Sequence, residues 1–206
     1  MTTSEPRVLI VDDDAQLRDS MAVLLRTANV SPVGFASAEE FMVSELAKHP
    51  ACVLLDVRLP GISGMELLTR LRDCGSKHVV VMITGHGDVP MAVAAMRAGA
   101  FHFAEKPFDP DAFVSIVMEA LARVEKLVDT LEHARESSKR YAHLSAREKQ
   151  VLELLVEGRP SKLIAYDLGI STRTAEHHRS AVMKKMAARS LSHLVRMVLD
   201  LRRRNG

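Results

Sequence analysis

Val8-Leu9-Ile10-Val11-Asp12-Asp13 is a short apolar run that stops at two carboxylates, and three runs downstream repeat the pattern. Cys52-Val53-Leu54-Leu55 ends at Asp56, Val79-Val80-Val81-Met82-Ile83 ends at Thr84, and Phe101-His102-Phe103-Ala104 leads to Lys106. Runs this short, rich in β-branched residues and alternating with helical patterns, predict buried strands of a parallel sheet. Ligands of open α/β sheets bind just outside the carboxyl ends of the strands. Polar residues ending four strands therefore predict one shared site, whose purpose is chemistry rather than packing.

Between these runs, apolar spacing predicts helices over 16–28, 37–48, 64–74 and 89–98, with a further strand near 33–36. Ser37 and Glu40 match the Ser-x-x-Glu capping box at the start of the second helix. A fifth helix begins near Asp109, where Pro110 suits the first turn. Five strands alternating with five helices imply an α/β, doubly wound five-stranded parallel sheet with right-handed crossovers. In the fifth helix Phe113, Val117, Ala120, Val124, Leu127 and Leu131 form a heptad seam. Its first part is expected to pack on the sheet. Beyond Val124 it is expected to serve as a helical linker or a dimer coiled coil, with a hinge at Ser137-Ser138-Lys139-Arg140.

The second half is helical throughout. One helix follows Ser145 and carries Val151, Leu152, Leu154 and Leu155, and the next runs from Pro160 to Leu168. A third, capped by Ser171, covers 172–185, and a fourth covers 191–201. Short helices separated by Gly169-Ile170-Ser171 are the helix-turn-helix arrangement, whose second helix can enter a major groove. The divisions expected are 1–122, a helical linker over 123–140, and a small all-α four-helix domain over 141–206.

Charge separates the halves. Residues 1–139 hold 14 Lys+Arg against 20 Asp+Glu, a net of −6, and residues 140–206 hold 14 against 6, a net of +8. Only the basic half is suited to a polyanion, with nucleic acid the obvious one. No apolar stretch reaches the roughly 18 residues of a membrane span. Two cysteines, one in a strand and one near a helix end, do not suggest a disulfide framework, which points to a reducing cytoplasm.

Asp12, Asp13 and Asp56 gathered in one pocket would repel one another without a counter-charge. A hard divalent cation such as Mg²⁺ and the Lys106 ammonium would supply it. A carboxylate so held is a nucleophile towards phosphorus, and Thr84 would offer its hydroxyl to a phosphoryl oxygen. Glycines 61, 64, 85 and 87 would let backbone approach the same centre. Singly, an Asp, Thr or Lys at a strand end is a turn former or a surface charge, and a strand phenylalanine such as Phe103 is core. The weight lies in the conjunction. His86 and His102 lack a third partner at metal-ligand spacing.

The segments Val-Asp-Asp-Asp, Leu-Asp-Val-Arg-Leu-Pro-Gly, Ile-Thr-Gly-His-Gly-Asp and Glu-Lys-Pro-Phe resemble the receiver domain of bacterial two-component response regulators, a flavodoxin-like fold, over about residues 6–122. The resemblance implies that Asp56 is the phosphoacceptor. Mg²⁺ would lie among Asp12, Asp13, Asp56 and the Arg58 backbone carbonyl. Thr84 and Lys106 would stabilise the phosphoryl group, Phe103 would be the switch aromatic, and the peptide before Pro107 would be cis. The stretches Leu144-Ser-Ala-Arg-Glu-Lys-Gln-Val-Leu and Leu168-Gly-Ile-Ser-Thr-Arg-Thr-Ala-Glu-His-His-Arg resemble the LuxR-type DNA-binding domain. Residues 172–185 would be its recognition helix, with Glu176, His177, Arg179 and Ser180 towards base edges. Lys162, Arg173, Lys184 and Lys185 would meet phosphates, and Arg202-Arg203-Arg204 could add backbone contacts. The combination most resembles the FixJ subfamily.

The resemblance implies a transcriptional regulator activated by phosphorylation, not an enzyme beyond its own phosphotransfer and dephosphorylation. Its partners would be a sensor histidine kinase, double-stranded DNA and RNA polymerase, with a homodimer when phosphorylated and no membrane. A haloacid dehalogenase-type phosphohydrolase is the enzyme alternative, but Asp12-x-Asp14-x-Gln16 departs from its motif at the last position. The other alternative is a phosphorylation-independent regulator that uses the receiver as a dimerisation platform.

Overall fold

The predicted strands form β1 (Arg7–Val11), β2 (Val33–Phe35), β3 (Ala51–Asp56), β4 (Val79–Thr84) and β5 (His102–Glu105), paired in parallel in the order β2-β1-β3-β4-β5. This computed structural model describes residues 7–85, 87 and 89–205. His86 and Asp88 of the Gly-His-Gly-Asp segment lie outside the described residues, as do the side chains of Arg203 and Arg204. The chain divides into two compact units, Met1–Val128 and Asp129–Gly206.

In the first unit, strand alternation sorts apolar side chains onto two faces. Leu9, Val11, Val53, Leu55, Val80 and Met82 face one side. The helices covering them are α2 (Ala38–Val43), α3 (Gly64–Asp73) and α4 (Val89–Arg97), through Phe41, Leu67, Leu68 and Ala95. Val8, Ile10, Cys52, Leu54, Val81 and Ile83 face the other side. There they meet Met21 and Leu25 of α1 (Ala15–Thr27) and Phe113, Val117 and Val124 of α5 (Pro110–Ala142). Covered on both faces, every residue of β3 and β4 is buried, which is why those runs are continuously apolar. Strand order reverses direction between β1 and β3, the switch point where α/β sheets bind ligands. Asp12 and Asp56 follow or end those two strands. Of the two free thiols, Cys52 is buried and Cys74, the cap of α3, is exposed. Burial pushes the Cys52 thiol up to about 12.

Four expectations are corrected. The helix over 37–48 is broken at Ser44, which is extended at ψ 140° and caps a separate 3-10 turn over Glu45–Lys48 with its hydroxyl. Serine side chains offer the backbone such alternatives to helix. The capping box at Ser37 is half formed: Ser37 Oγ accepts from Glu40 N, but the Glu40 carboxylate accepts from Ala36 N instead. Thirdly, α5 runs unbroken through 137–140 where a hinge was expected. Its seam also stays with the sheet further than expected, since Val124 is fully buried and Leu127 and Val128 pack against the same cluster.

The second unit consists of the end of α5 with α6 (Ala146–Val156), α7 (Ser161–Asp167), α8 (Thr172–Lys185) and α9 (Leu191–Asn205). Val151, Leu152, Leu155, Ile164, Ala175, Val182, Leu194 and Val198 form its core. α7 and α8, separated by residues 168–171, are the helix-turn-helix pair. Among the described residues no helix is long and apolar enough to cross a membrane.

His78, entering β4, places Nε2 2.9 Å from the Ala47 carbonyl and packs its ring against Phe41. Burial holds its pKa below the ordinary imidazole value of 6.5, with the Ala47 carbonyl opposing. The folded state thus takes up this proton less readily than the unfolded chain, so the contribution is present above about pH 6.5 and lost as pH falls. We expect the urea midpoint of the first unit to fall more steeply between pH 7.5 and 5 in wild type than in His78→Leu. Parallel slopes would show that His78 is not the titrating group.

Candidate functional site

Asp12 follows β1 and Asp56 ends β3, and the two are buried, 2% and 6% exposed. Lys106, just past β5, inserts its ammonium between them: Nζ lies 2.8 Å from Asp12 Oδ2 and 2.6 Å from Asp56 Oδ1. Burial pushes the Asp56 carboxyl above the usual range; Lys106 opposes this and Asp12 adds to it. Burial also works against the Lys106 ammonium, but hydrogen bonds and charge from Asp12 and Asp56 outweigh it and raise its pKa. Lys106 is therefore a fixed cation, holding two carboxylates that would otherwise resist ionisation together.

The backbone completes the site. Asp12 Oδ1 accepts from Asp14 N at 2.9 Å, and the Arg18 guanidinium donates to the Asp12 carbonyl at 2.6 Å. Asp14 itself caps α1 through Gln16 N and Leu17 N. Asp56 Oδ2 accepts from Arg58 N at 2.5 Å. Thr84, 1% exposed, ends β4, and its carbonyl accepts from Lys106 N at 2.7 Å. The Lys106–Pro107 peptide is cis. A Cβ at Gly64 would stand 1.9 Å from the Asp56 carbonyl, so only glycine fits where α3 begins beneath the acidic strand end.

Asp12, Asp56, Thr84 and Lys106 thus come together, while Asp13 lies exposed beside them. Among the described residues no three His, Cys, Asp or Glu side chains converge as a metal cage. Two carboxylates, a neighbouring exposed one and a backbone carbonyl are nevertheless the donor set that suits Mg²⁺, which keeps several waters and takes one or two carboxylates rather than an all-protein cage. Phe103 is half-buried and packs against the cluster on the α2–α4 side of the sheet.

Of two further partners of this site, Gly87 is among the glycines expected to approach it, and Glu39 carries no sequence signal. A Cβ at Gly87 would meet the Phe103 ring at 2.9 Å and the Thr84 methyl at 3.1 Å, so this glycine sits against both. Glu39, on α2, accepts from Ile62 N at 3.0 Å and so reaches the loop after Asp56.

In the second unit, Arg173, Glu176, His177, Ser180, Lys184 and Lys162 are exposed, and Arg179 is half-buried. Ala175 and Val182 anchor α8 from behind. Lys185, although exposed, is already paired: its Nζ lies 2.7 Å from Glu148 Oε2, and Glu148 is 6% exposed. Glu148 also accepts from Ser145 N in a complete capping box. The Lys185 ammonium, with the Ser145 N–H, holds the Glu148 carboxyl down at about 2. The helix after Ser145 forms as expected, whereas the Glu148 half of the box and the lysine across the unit were not anticipated.

Comparison with known proteins covers both units. The family described as response regulator receiver domain matches residues 8–118, and that described as bacterial regulatory proteins, luxR family, matches 142–198. The chain is 47% identical over 192 residues to the transcriptional regulatory protein FixJ of Azorhizobium caulinodans, covering 93% of this chain and 91% of that one. It is 41% identical over 197 residues to FixJ of Bradyrhizobium diazoefficiens, covering 96% of each. Among solved structures it is similar to the response regulator StyR, with a TM-score of 0.81 at 36% identity over 95% of this chain and 98% of that one. Full-length FixJ from B. japonicum gives 0.57 at 40% identity over 98% and 99%.

The Glu148–Lys185 pair yields a stability prediction. A folded pKa near 2 against an ordinary value of 4.5 means a contribution present above pH 4.5 and lost as pH falls towards 2. Lys185→Met leaves the buried carboxylate without its ammonium and should cost the second unit about 1–3 kcal/mol at neutral pH. Hydrogen exchange of the core amides of α6 and α8 reads this cost locally. Unchanged exchange would show that the pair adds nothing.

Proposed function

The chain belongs to the bacterial response regulators that join a receiver domain to a LuxR-type DNA-binding domain, and we propose that its phosphorylation-activated switch operates through Asp56 as phosphoacceptor. The observation that carries this assignment is the Lys106 ammonium shared between buried Asp12 and Asp56 at 2.8 and 2.6 Å. A carboxylate oxygen of Asp56 attacks the phosphorus of a phosphohistidine presented by a sensor histidine kinase. The P–N bond breaks, its electron pair and a proton go to the departing imidazole, and an aspartyl phosphate remains.

The developing charge falls where the chain already concentrates counter-charge. Lys106 stabilises the phosphoryl oxygens, and the Thr84 hydroxyl turns towards one of them. Asp12, Asp13, Asp56 and the Arg58 carbonyl would hold Mg²⁺, which when bound supplies further electrostatic stabilisation of the phosphoryl group. Movement of Thr84 frees space for Phe103 to turn inward, which remodels the surface of α4 and β5. Exposed Val89, Val93 and Met96 give α4 an apolar face at helical spacing, which supports homodimerisation there on phosphorylation. Two basic units would then engage two half-sites of double-stranded DNA together, gaining affinity through effective concentration. RNA polymerase is the expected downstream partner. The free thiols of Cys52 and Cys74 are in keeping with a reducing cytoplasm.

Intact mass and light scattering with acetyl phosphate and Mg²⁺ test the acceptor. Wild type should gain one phosphoryl group and shift from monomer to dimer, and Asp56→Asn should do neither. Labelling of Asp56→Asn would move the acceptor elsewhere.

On DNA, Arg179→Ala should cost about 1–3 kcal/mol and relax base preference at one position. Arg173→Ala should weaken all sequences alike and reduce the magnitude of the log–log salt slope by about 0.9. Binding titrations across salt concentrations separate the two, and identical salt and sequence profiles would undo the division into base and phosphate contacts.

A further inference from the structure

The loop between Asp56 and α3 carries Arg58, yet residues 57–63 form no helix or strand. Its two ends are secured. Val57 N donates to the Ile83 carbonyl at 2.9 Å, Arg58 N to Asp56 Oδ2 at 2.5 Å, and Gly64 N to the Val57 carbonyl at 3.1 Å. Between Arg58 and Ser63, among the described residues, one side chain of another element hydrogen-bonds to the loop backbone. It is Glu39 of α2, whose Oε1 accepts from Ile62 N at 3.0 Å.

The approach is close and shaped for this contact. Gly61 has φ +74°, the left-handed region that disfavours a side chain, and a Cβ there would stand 2.6 Å from the same Oε1. Carboxylate and glycine thus share one small space. Nor is Glu39 held there by a cation: the hydrogen bonds that lower its pKa come first from its own backbone N–H and that of Ile62, with only a minor charge contribution from Arg70. α2 itself is fixed by Ala38 and Phe41, which are fully buried in the sheet-side core. Glu39 is therefore a short arm from a fixed element to the irregular loop after Asp56.

We propose that Glu39 is a positioning residue of the phosphoacceptor site: it latches the loop after Asp56 so that the Arg58 carbonyl is held ready for Mg²⁺. The inference rests on the reading of Asp12, Asp13, Asp56 and Arg58 as the Mg²⁺ donors. Groups that orient metal ligands without touching the metal typically change affinity by about 10–100-fold when removed, and a single loop latch belongs at the low end. Because the latch is a neutral N–H donating to oxygen, an amide oxygen should serve as well as a carboxylate.

The test compares full-length wild type, Glu39→Gln and Glu39→Ala by three readouts. They are amide hydrogen exchange over 57–63 in metal-free buffer, Mg²⁺ affinity by calorimetry, and the thermal midpoint. Glu39→Ala should exchange faster across Gly61 and Ile62 and bind Mg²⁺ about tenfold more weakly, with its thermal midpoint near that of wild type. Glu39→Gln should restore both exchange and affinity. Wild-type exchange and affinity in Glu39→Ala would overturn the latch, and so would a loss in Glu39→Gln equal to that in Glu39→Ala. Wild type that binds no Mg²⁺ would instead overturn the metal reading and this proposal with it, whereas a defect confined to the alanine variant cannot arise from that failure.

Discussion

Two carboxylates pressed together at the end of a buried sheet are the constraint on which the first unit depends. Asp12 and Asp56 repel each other and both resist losing water. Lys106 relieves that conflict from β5, two strands beyond β3 in the sheet. The strand order matters for this reason. β1 and β3 are neighbours because the chain crosses over β1 between its second and third strands, and β5 lies on the far side of β4. Only a long side chain from there can reach both acids, which a lysine does and a shorter cation would not. An uneasy electrostatic balance is also what a switch requires, because one more anionic group arriving at the site redistributes the lysine's hydrogen bonds.

Much of this was legible in the residues. Parallel strands buried on both faces must read as continuous apolar runs, and their polar successors must share the carboxyl edge of the sheet. Asp12, Asp56, Thr84 and Lys106 could be gathered without coordinates for that reason. Local capping was legible too, as at Ser171. Contacts set by the packing of distant elements were not. Nothing in the neighbourhood of Glu39 announces Ile62, and nothing near Lys185 announces Glu148. Asp13 differs from its neighbour in burial: its side chain is exposed at the strand end where that of Asp12 is buried, a distinction that adjacency in sequence does not carry.

The errors in helix extent share a physical origin. Periodicity measures which face is apolar, and it is blind to a serine that prefers to bond its own backbone, as Ser44 does, or to a polar Ser-Ser pair that helix propensity tolerates, as at 137–138. In α5 the apolar seam was divided between sheet packing and a linker at Val124, but burial continues to Val128 because the helix still has sheet-side neighbours to cover. Solvated polar residues do not end a helix by themselves; a competing hydrogen bond or a backbone constraint must do so.

The burial of Cys52 has a practical corollary. Its thiol, buried near the start of β3 and pushed up to about 12, is shielded from electrophiles, while Cys74 stands in solvent at the end of α3. The chain also lacks tryptophan. A maleimide dye or spin label would therefore report from one place, at the far end of the helix that starts under the acidic strand end. The wild-type sequence thus already carries a single spectroscopic address, with no cysteine to remove and no intrinsic indole signal to subtract.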